Sequence, residues 1–91
     1  MNYTILVSKT FQKKFYYVDK KIQEKMKKAL IKLNDDPFRS RSNCDIKPLK
    51  DTKPKKHRLR IGEYRIIYIV QRKEIKVIDL IKRKSGYAQL E

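Results

Sequence analysis

The fold of this chain is decided by the stretch HRLRIGEYRIIY at residues 57–68. Its first five residues alternate between apolar or aromatic and basic side chains, which is the period of a half-buried β-strand. Gly62 and Glu63 then form a two-residue turn with glycine at the first central position, as a type II′ hairpin requires. The run over residues 64–70 is apolar on both faces and predicts a strand in the middle of a sheet. The stretch therefore predicts a β-hairpin whose first strand has one basic face.

Two helices are predicted before this hairpin. Residues 3–7 are β-branched or aromatic and predict a first strand, after which the hydroxyl of Ser8 can cap a short helix. Asp19 can cap a second, longer helix, which ends near Asn34 because Pro37 follows closely. The apolar residues that recur at helical spacing, and that we expect to pack on the sheet, are Phe11, Phe15, Val18, Ile22, Met26, Ala29, Leu30 and Leu33.

The rest of the chain predicts one irregular segment and one more strand. Residues 37–54 show no clear periodicity, and we interpret them as an irregular connection with apolar anchors at Phe38, Ile46 and Leu49. Residues 75–81 predict a last strand after a polar turn. The predicted order is β-α-α-β-β-β, an α+β fold with two N-terminal helices packed on a mainly antiparallel sheet. A length of 91 residues predicts a single domain over residues 1–91.

The charge of the chain indicates a polyanionic partner. Lys and Arg number 25 against 10 Asp and Glu, which gives a formal net charge of +15 and a pI near 10.1. Cys44 is the single cysteine, so an intramolecular disulfide and a multi-cysteine zinc site are excluded. No stretch approaches the roughly 18 apolar residues of a membrane span, and the first ten residues lack the pattern of a signal peptide. These features predict a cytoplasmic protein that does not associate with membranes.

Three arginines are predicted to meet on one face of the hairpin. For a two-residue turn, the cross-strand partners are Ile61 with Tyr64, Arg60 with Arg65, and Arg58 with Ile67. Arg58, Arg60 and Arg65 then share the face opposite Leu59, and guanidinium groups bind phosphate in a bidentate manner. Because Arg65 faces away from the predicted core, we expect its replacement by alanine to leave the fold intact.

Other residues with reactive or charged side chains have structural interpretations. His57 lies on the apolar face of its strand and is interpreted as a packed or edge-exposed histidine, while Tyr64 and Tyr68 are interpreted as core residues. Cys44 has no basic partner pattern and is interpreted as an inert or loop thiol. The basic residues of the second helix are interpreted as a solvated face: Lys20, Lys21, Lys25, Lys27, Lys28 and Lys32.

Leu49 and residues 57–68 together resemble the central signature of the RelE/ParE toxin superfamily, a leucine followed by R-x-R-x-G-(D/E)-Y-R-(I/V)-(I/V)-Y. The segment Arg83-Lys84-Ser85-Gly86-Tyr87 resembles the terminal motif of that family, in which a basic residue precedes a tyrosine. The predicted order of elements matches the family along nearly the whole chain. The resemblance implies the toxin of a type II toxin–antitoxin system with a RelE-like fold.

A RelE-like toxin is implied to be a ribosome-dependent endoribonuclease that cleaves messenger RNA in the decoding site and inhibits translation, with no metal and no cofactor. The positions that match the family's catalytic residues are Arg58, Arg60, Arg65, Arg83 and Tyr87. Arg65 and Arg83 are expected to clamp the scissile phosphate, and Tyr87 to stack on a base or transfer a proton. Some family members have lysine where this chain has Arg58 and Arg60, and a lysine can lose its proton whereas arginine in effect cannot. Proton transfer is therefore expected from Tyr87, His57, Lys82, Lys84 or a ribosomal group. The lysines expected to bind RNA and the ribosome are Lys47, Lys50, Lys53, Lys55, Lys56, Lys82 and Lys84.

Two other functions stay open at this point. One is a ParE-like inhibitor of DNA gyrase, although that branch generally lacks the terminal arginine and tyrosine. The other is a non-catalytic basic RNA-binding protein that binds phosphates and leaves RNA uncut. The resemblance also implies a cognate RelB-like antitoxin that forms a heteromeric complex with the toxin, while the free toxin is expected to be a monomer. Messenger RNA and ribosomal RNA are the other expected partners.

Overall fold

The computed structural model describes residues 3–50 and 52–83. The elements of these residues are β1 (Thr4–Val7), α1 (Lys9–Tyr16), α2 (Lys20–Asp35), β2 (Asp45–Pro48), β3 (His57–Ile61), β4 (Tyr64–Gln71) and β5 (Glu74–Lys82). The sheet has the strand order β1-β5-β4-β3-β2. β1 pairs with β5 in parallel, and the other neighbours are antiparallel. The predicted α+β class and the mainly antiparallel sheet are confirmed.

Both predicted helix caps are present. The Ser8 hydroxyl accepts a hydrogen bond from the Phe11 amide at 3.0 Å, and the Asp19 carboxylate accepts one from the Lys21 amide at 3.2 Å. α2 ends at Asp35, and its C-cap Asp36 is extended immediately before Pro37. Local side-chain chemistry therefore sets where both helices begin and where α2 ends.

The helices pack on one face of the sheet and form the core with it. Met26 and Leu33 of α2 are fully buried together with Leu59, Ile66 and Tyr68 of the central strands. Burial of a large apolar side chain stabilises the fold by about 1.5–3 kcal/mol. The Tyr68 hydroxyl donates to the Pro37 carbonyl at 2.7 Å, so its polar atom is satisfied inside the core. No helix of the described residues is long and apolar enough to cross a membrane.

The connection before β3 contains a strand that the sequence pattern did not predict. β2 pairs with β3 in antiparallel fashion and places Ile46 opposite Leu59. Ile46 and Leu49 are buried as expected, but Phe38 was predicted as an anchor and is 54% exposed. Its neighbour Pro37 is the fully buried residue of that turn. A strand of four residues with one buried side chain carries no detectable alternation, which is why β2 was missed.

The hairpin between β3 and β4 has the predicted register. Ile61 pairs with Tyr64, and Arg60 pairs with Arg65. Gly62 has a φ of 58°, while Glu63 is not among the described residues with positive φ, as a type II′ turn requires. The turn therefore fixes which side chains of the two strands share a face.

Candidate functional site

The register of β3 and β4 places three arginines on the face of the sheet away from the helices. Arg60 lies opposite Arg65, and Arg58 lies two pairs further along the ladder, opposite Ile67. Leu59 and Ile66, which alternate with these residues, are in the core under the helices. The predicted sharing of one face is therefore confirmed, and we call Arg58, Arg60 and Arg65 the arginine cluster.

Exposure differs strongly within the arginine cluster. The Arg60 side chain is 52% exposed, whereas Arg58 is 8% and Arg65 is 3% exposed. Nη1 of Arg65 donates to the carbonyls of Gly62 and Tyr64, both at 3.0 Å, and thus braces the hairpin turn. Arg65 faces away from the helices, as predicted, but it is buried against its own turn, so the expectation that alanine at Arg65 leaves the fold intact loses its support.

A carboxylate lies between two of the arginines. Oδ1 of Asp45 is 3.3 Å from Nη1 of Arg58, and Oδ2 of Asp45 is 3.7 Å from Nη1 of Arg60. Nη1 of Arg58 also donates to the Asp45 carbonyl at 3.3 Å. Asp45 is the first residue of β2 and pairs with Arg60, so its position depends on the strand that the sequence did not predict. The Asp45 carboxylate thus lies near both guanidinium groups and offsets the repulsion between their positive charges.

The end of β5 lies beside the same hairpin turn. The Arg83 amide donates to the Glu63 carbonyl at 2.7 Å, and the Arg83 side chain is exposed. Lys82 pairs with Tyr64 in the ladder, and its ammonium lies 5.7 Å from the centre of the Tyr64 ring. These contacts bring the backbone of Arg83 next to the arginine cluster. The predicted residues Lys84 and Tyr87 lie outside the described residues.

The predicted RNA-binding lysines that the structure describes lie in separate places on the sheet and its connections. Lys47 of β2 pairs with Arg58 and is exposed beside the arginine cluster. The connection between β2 and β3 enters β3 at His57, whereas Gly62 follows the other end of that strand. The length of β3 places its two ends about 13 Å apart. The lysines carried by that connection are Lys50, Lys53, Lys55 and Lys56. The structure therefore separates them from Arg60 and Arg83.

His57 and Cys44 are both buried, as their structural interpretations require. The His57 ring stacks on Tyr68 with 5.4 Å between ring centres and meets Phe38 edge-on at 5.6 Å. Burial lowers the pKa of His57, and the positive charge of Lys55 lowers it further. Burial raises the pKa of the Cys44 thiol, which keeps it protonated. The prediction of a packed histidine is confirmed, and the inertness of the buried Cys44 thiol stays a prediction.

A basic groove adjoins the arginine cluster and was missed by the sequence analysis. It has a volume of about 510 Å³ and runs between α2 and the ends of β2 and β3. The lining residues are Lys25, Lys28, Ala29, Lys32, Asn43, Cys44, Asp45, Arg60, Ile61 and Gly62. We call it the lysine groove. Its lysines were assigned to a solvated helix face, and the spacing i, i+3, i+7 was the signal that could have grouped them.

Within the described residues, no three side chains of His, Cys, Asp or Glu come together as a metal site would require. The arginine cluster itself offers fixed positive charge and hydrogen-bond donors toward an anion. Arginine in effect does not give up its proton, so these groups bind and stabilise but do not act as a base.

A family model matches the chain over most of its length. The model is described as the ParE toxin of type II toxin–antitoxin systems, parDE, and the match covers residues 5–87. The chain belongs to this family. It is the toxin of a type II toxin–antitoxin system, as the resemblance of residues 57–68 predicted. No match was found among curated proteins.

Solved structures show which toxins share the fold. The toxin is 28% identical to a chain in the crystal structure of the archaeal RelE–RelB complex from Pyrococcus horikoshii OT3, with a TM-score of 0.79 over 92% of this chain and 98% of that chain. A RelB–RelE antitoxin–toxin complex from Methanococcus jannaschii matches at 28% identity and a TM-score of 0.75, over 90% of this chain and 94% of that chain. The YoeB dimer from Staphylococcus aureus matches at 20% identity and a TM-score of 0.70, over 87% and 94% of the two chains, and supports the fold alone. The toxin therefore has a RelE-like fold.

Proposed function

We propose that the toxin is a ribosome-dependent endoribonuclease that cleaves messenger RNA in the decoding site and so inhibits translation. The observation that carries this proposal is the arginine cluster, in which one anion, the Asp45 carboxylate, lies within 3.7 Å of two guanidinium groups on the face of the sheet away from the helices. A phosphodiester carries the same charge as that carboxylate. The similarity to the RelE chain of Pyrococcus horikoshii supports the same assignment.

The proposed reaction is an internal transesterification. The ribose 2′-oxygen attacks the adjacent phosphorus, and the bond from phosphorus to the 5′-oxygen breaks. A proton leaves the 2′-hydroxyl and another reaches the departing 5′-oxygen, so the products carry a 2′,3′-cyclic phosphate and a 5′-hydroxyl. The phosphorane carries extra negative charge, and each hydrogen-bond donor aimed at it lowers the barrier by about 3 kcal/mol. No metal is needed for these steps.

The roles we assign follow from exposure and position. Arg60, which is half exposed, contacts the phosphate directly, and the buried Arg58 strengthens the positive field behind it. Arg83 adds charge from the end of β5, while Arg65 holds the turn that carries Arg60 and contributes to the same field. The face covered by the helices holds His57, so proton transfer is assigned to Tyr87, Lys82, Lys84 or a ribosomal group.

The proposed partners follow from this activity. Messenger RNA is the substrate, and ribosomal RNA contacts the basic surface of the toxin in the cytoplasm, where translation takes place. We assign a RelB-like antitoxin as the neutralising partner, since the Pyrococcus horikoshii relative was crystallised as a RelE–RelB complex. The free toxin is assigned as a monomer that becomes part of a heteromeric complex.

Cleavage on purified ribosomes tests the proposal. Programmed ribosomes are incubated with the toxin, and new 5′ ends on the messenger RNA are mapped by primer extension. We expect Arg60→Ala to lower the cleavage rate by about 10²–10³-fold, because a donor to the phosphorane is lost. Lys27→Ala is the control, since Lys27 is exposed on α2 and pairs with Glu24 at 3.6 Å. It should leave the rate unchanged.

A second candidate is inhibition of DNA gyrase, and the name of the matching family model favours it. The same preparation is therefore added to gyrase and supercoiled plasmid. Double-strand breaks without new messenger RNA ends would overturn the endoribonuclease proposal and support the gyrase inhibitor. Ribosome binding with neither product would support a non-catalytic RNA-binding protein instead.

A further inference from the structure

The lysine groove is a second concentration of positive charge, and the arginine cluster does not account for it. Lys25, Lys28 and Lys32 lie on one side of α2, and seven residues of helix separate the first from the last by about 10.5 Å. The opposite wall contains Arg60 from β3. Asp45 is the single acidic residue among the described lining residues. Four positive charges against one negative charge favour an extended anion over a single small one.

The side chains of the groove suit a sugar–phosphate backbone. Lys25 and Lys28 are exposed, so their ammonium groups are free to rotate toward a ligand. Lys32 donates to the Ser42 carbonyl at 2.8 Å, which holds its charge at the wall of the groove. None of the described lining residues is aromatic, so the groove has no surface on which a base could stack. Its contacts would therefore be to phosphates and independent of sequence.

The groove and the arginine cluster are continuous. Arg60 and Asp45 line the groove, and the same two residues make the 3.7 Å ion pair of the arginine cluster. A nucleic-acid strand in the groove would therefore lie next to Arg60, which belongs to both sites. The volume of about 510 Å³ is large enough for more than one phosphate group.

We propose that the lysine groove binds the backbone of the RNA strand next to the phosphate held by the arginine cluster. The identity of the strand as RNA rests on the proposed function, and the backbone contact rests on the charge and shape of the groove. Lys25 and Lys28 each neutralise one phosphate, and Arg60 connects the two sites.

The salt dependence of binding tests this proposal. A single-stranded 2′-O-methyl RNA is titrated with the toxin at several salt concentrations. This probe keeps every phosphate but lacks the 2′-hydroxyl nucleophile, so it cannot be cleaved by the proposed reaction. For the double variant Lys25→Gln and Lys28→Gln, we expect the slope of log K against log salt to be smaller by about 1.4, which corresponds to two lost phosphate contacts on a single strand.

The matched control is the double variant Lys20→Gln and Lys27→Gln. It removes the same charge from the same helix at residues that do not line the groove. Its slope should stay within error of the wild-type slope, and both variants should melt at the same temperature. Equal slopes for the two double variants would overturn the proposal. A different outcome is that the Lys25→Gln and Lys28→Gln double variant lowers the salt slope for a glutamate peptide and leaves the slope for RNA unchanged. That result would assign the groove to an acidic protein and would also overturn the proposal.

The two proposals fail in different ways. If ribosomal cleavage is absent while the slopes of the two double variants still differ, the endoribonuclease proposal is overturned and the backbone contact is supported. If cleavage occurs and the slopes are equal, only the lysine groove proposal is overturned.

Discussion

The two faces of the sheet are built from the same strands and have opposite chemistry. On the face covered by the helices, Leu59 and Ile66 are fully buried in an apolar core. On the other face, Arg58 and Arg65 are also nearly buried, but carbonyl and carboxylate oxygens surround their guanidinium groups. Burial alone therefore does not separate the two faces. The groups that surround a buried side chain therefore decide whether it stabilises an apolar core or forms part of a charged site.

Leu59 and Arg60, which are adjacent in β3, should differ most in how much they stabilise the fold. Leu59→Ala should lower the free energy of unfolding by about 2–5 kcal/mol, because it leaves a cavity in the core. Arg60→Ala should lower it by at most about 0.5 kcal/mol, because the Arg60 side chain is 52% exposed and its ion pair is weak. Urea unfolding followed by circular dichroism measures both values. Similar losses for the two variants would mean that the face away from the helices stabilises the fold as much as the core does.

A change of pH acts on the helix-covered face through His57. Its pKa in the folded protein lies below the ordinary value of 6.5, so the unfolded chain takes up a proton first as the pH falls. The contribution of neutral His57 to the free energy of unfolding is complete above about pH 6.5 and is lost below it. The free energy of unfolding then changes by at most about 1.4 kcal/mol per pH unit. His57→Phe keeps a ring between Phe38 and Tyr68 and should remove this dependence.

Urea unfolding at pH 7.5 and pH 5.5 provides the measurement for His57. The wild-type chain should be less stable at the lower pH, and the His57→Phe chain should show a smaller difference between the two conditions. An identical pH dependence in both chains would show that another group is responsible, since His57 is the one histidine of the sequence.

The smallest expected change in stability and RNA binding concerns Asp45, on the face of the sheet away from the helices. Asp45→Asn removes the negative charge between Arg58 and Arg60, so the cluster gains affinity for an external phosphate. The salt slope for 2′-O-methyl RNA should increase by about 0.7, and the loss of stability should be at most about 1 kcal/mol. Glu24→Gln is the control, because it also removes a carboxylate that pairs with a basic residue. An unchanged slope for Asp45→Asn would show that this carboxylate does not compete with phosphate.

The hairpin and the helix boundaries could be predicted from the sequence because the interactions that set them are local. Alternation of side chains and a two-residue turn define the register of β3 and β4, and with it the shared face of Arg58, Arg60 and Arg65. Ser8 and Asp19 cap the helices through amides two or three residues away. The family resemblance of residues 57–68 also rests on this local stretch.

Other features could not be predicted because they depend on contacts between distant segments. β2 has too few buried residues to show a period, and it exists as a strand through its pairing with β3. Asp45 reaches the arginines through that pairing, and Lys25 and Lys28 meet Arg60 through the packing of α2 beside the sheet edge. The burial of Arg65 against the carbonyls of its own turn also depends on the folded hairpin.

By itself, then, the sequence determined the order of the predicted elements, the hairpin register and the excess of positive charge, since these follow from neighbouring residues and composition. The tertiary structure decided which charges lie together, which of them are covered, and which carboxylate lies between them. The physical reason is that distances between side chains far apart in the chain are set by packing and strand pairing, and those distances determine how charged groups act on one another.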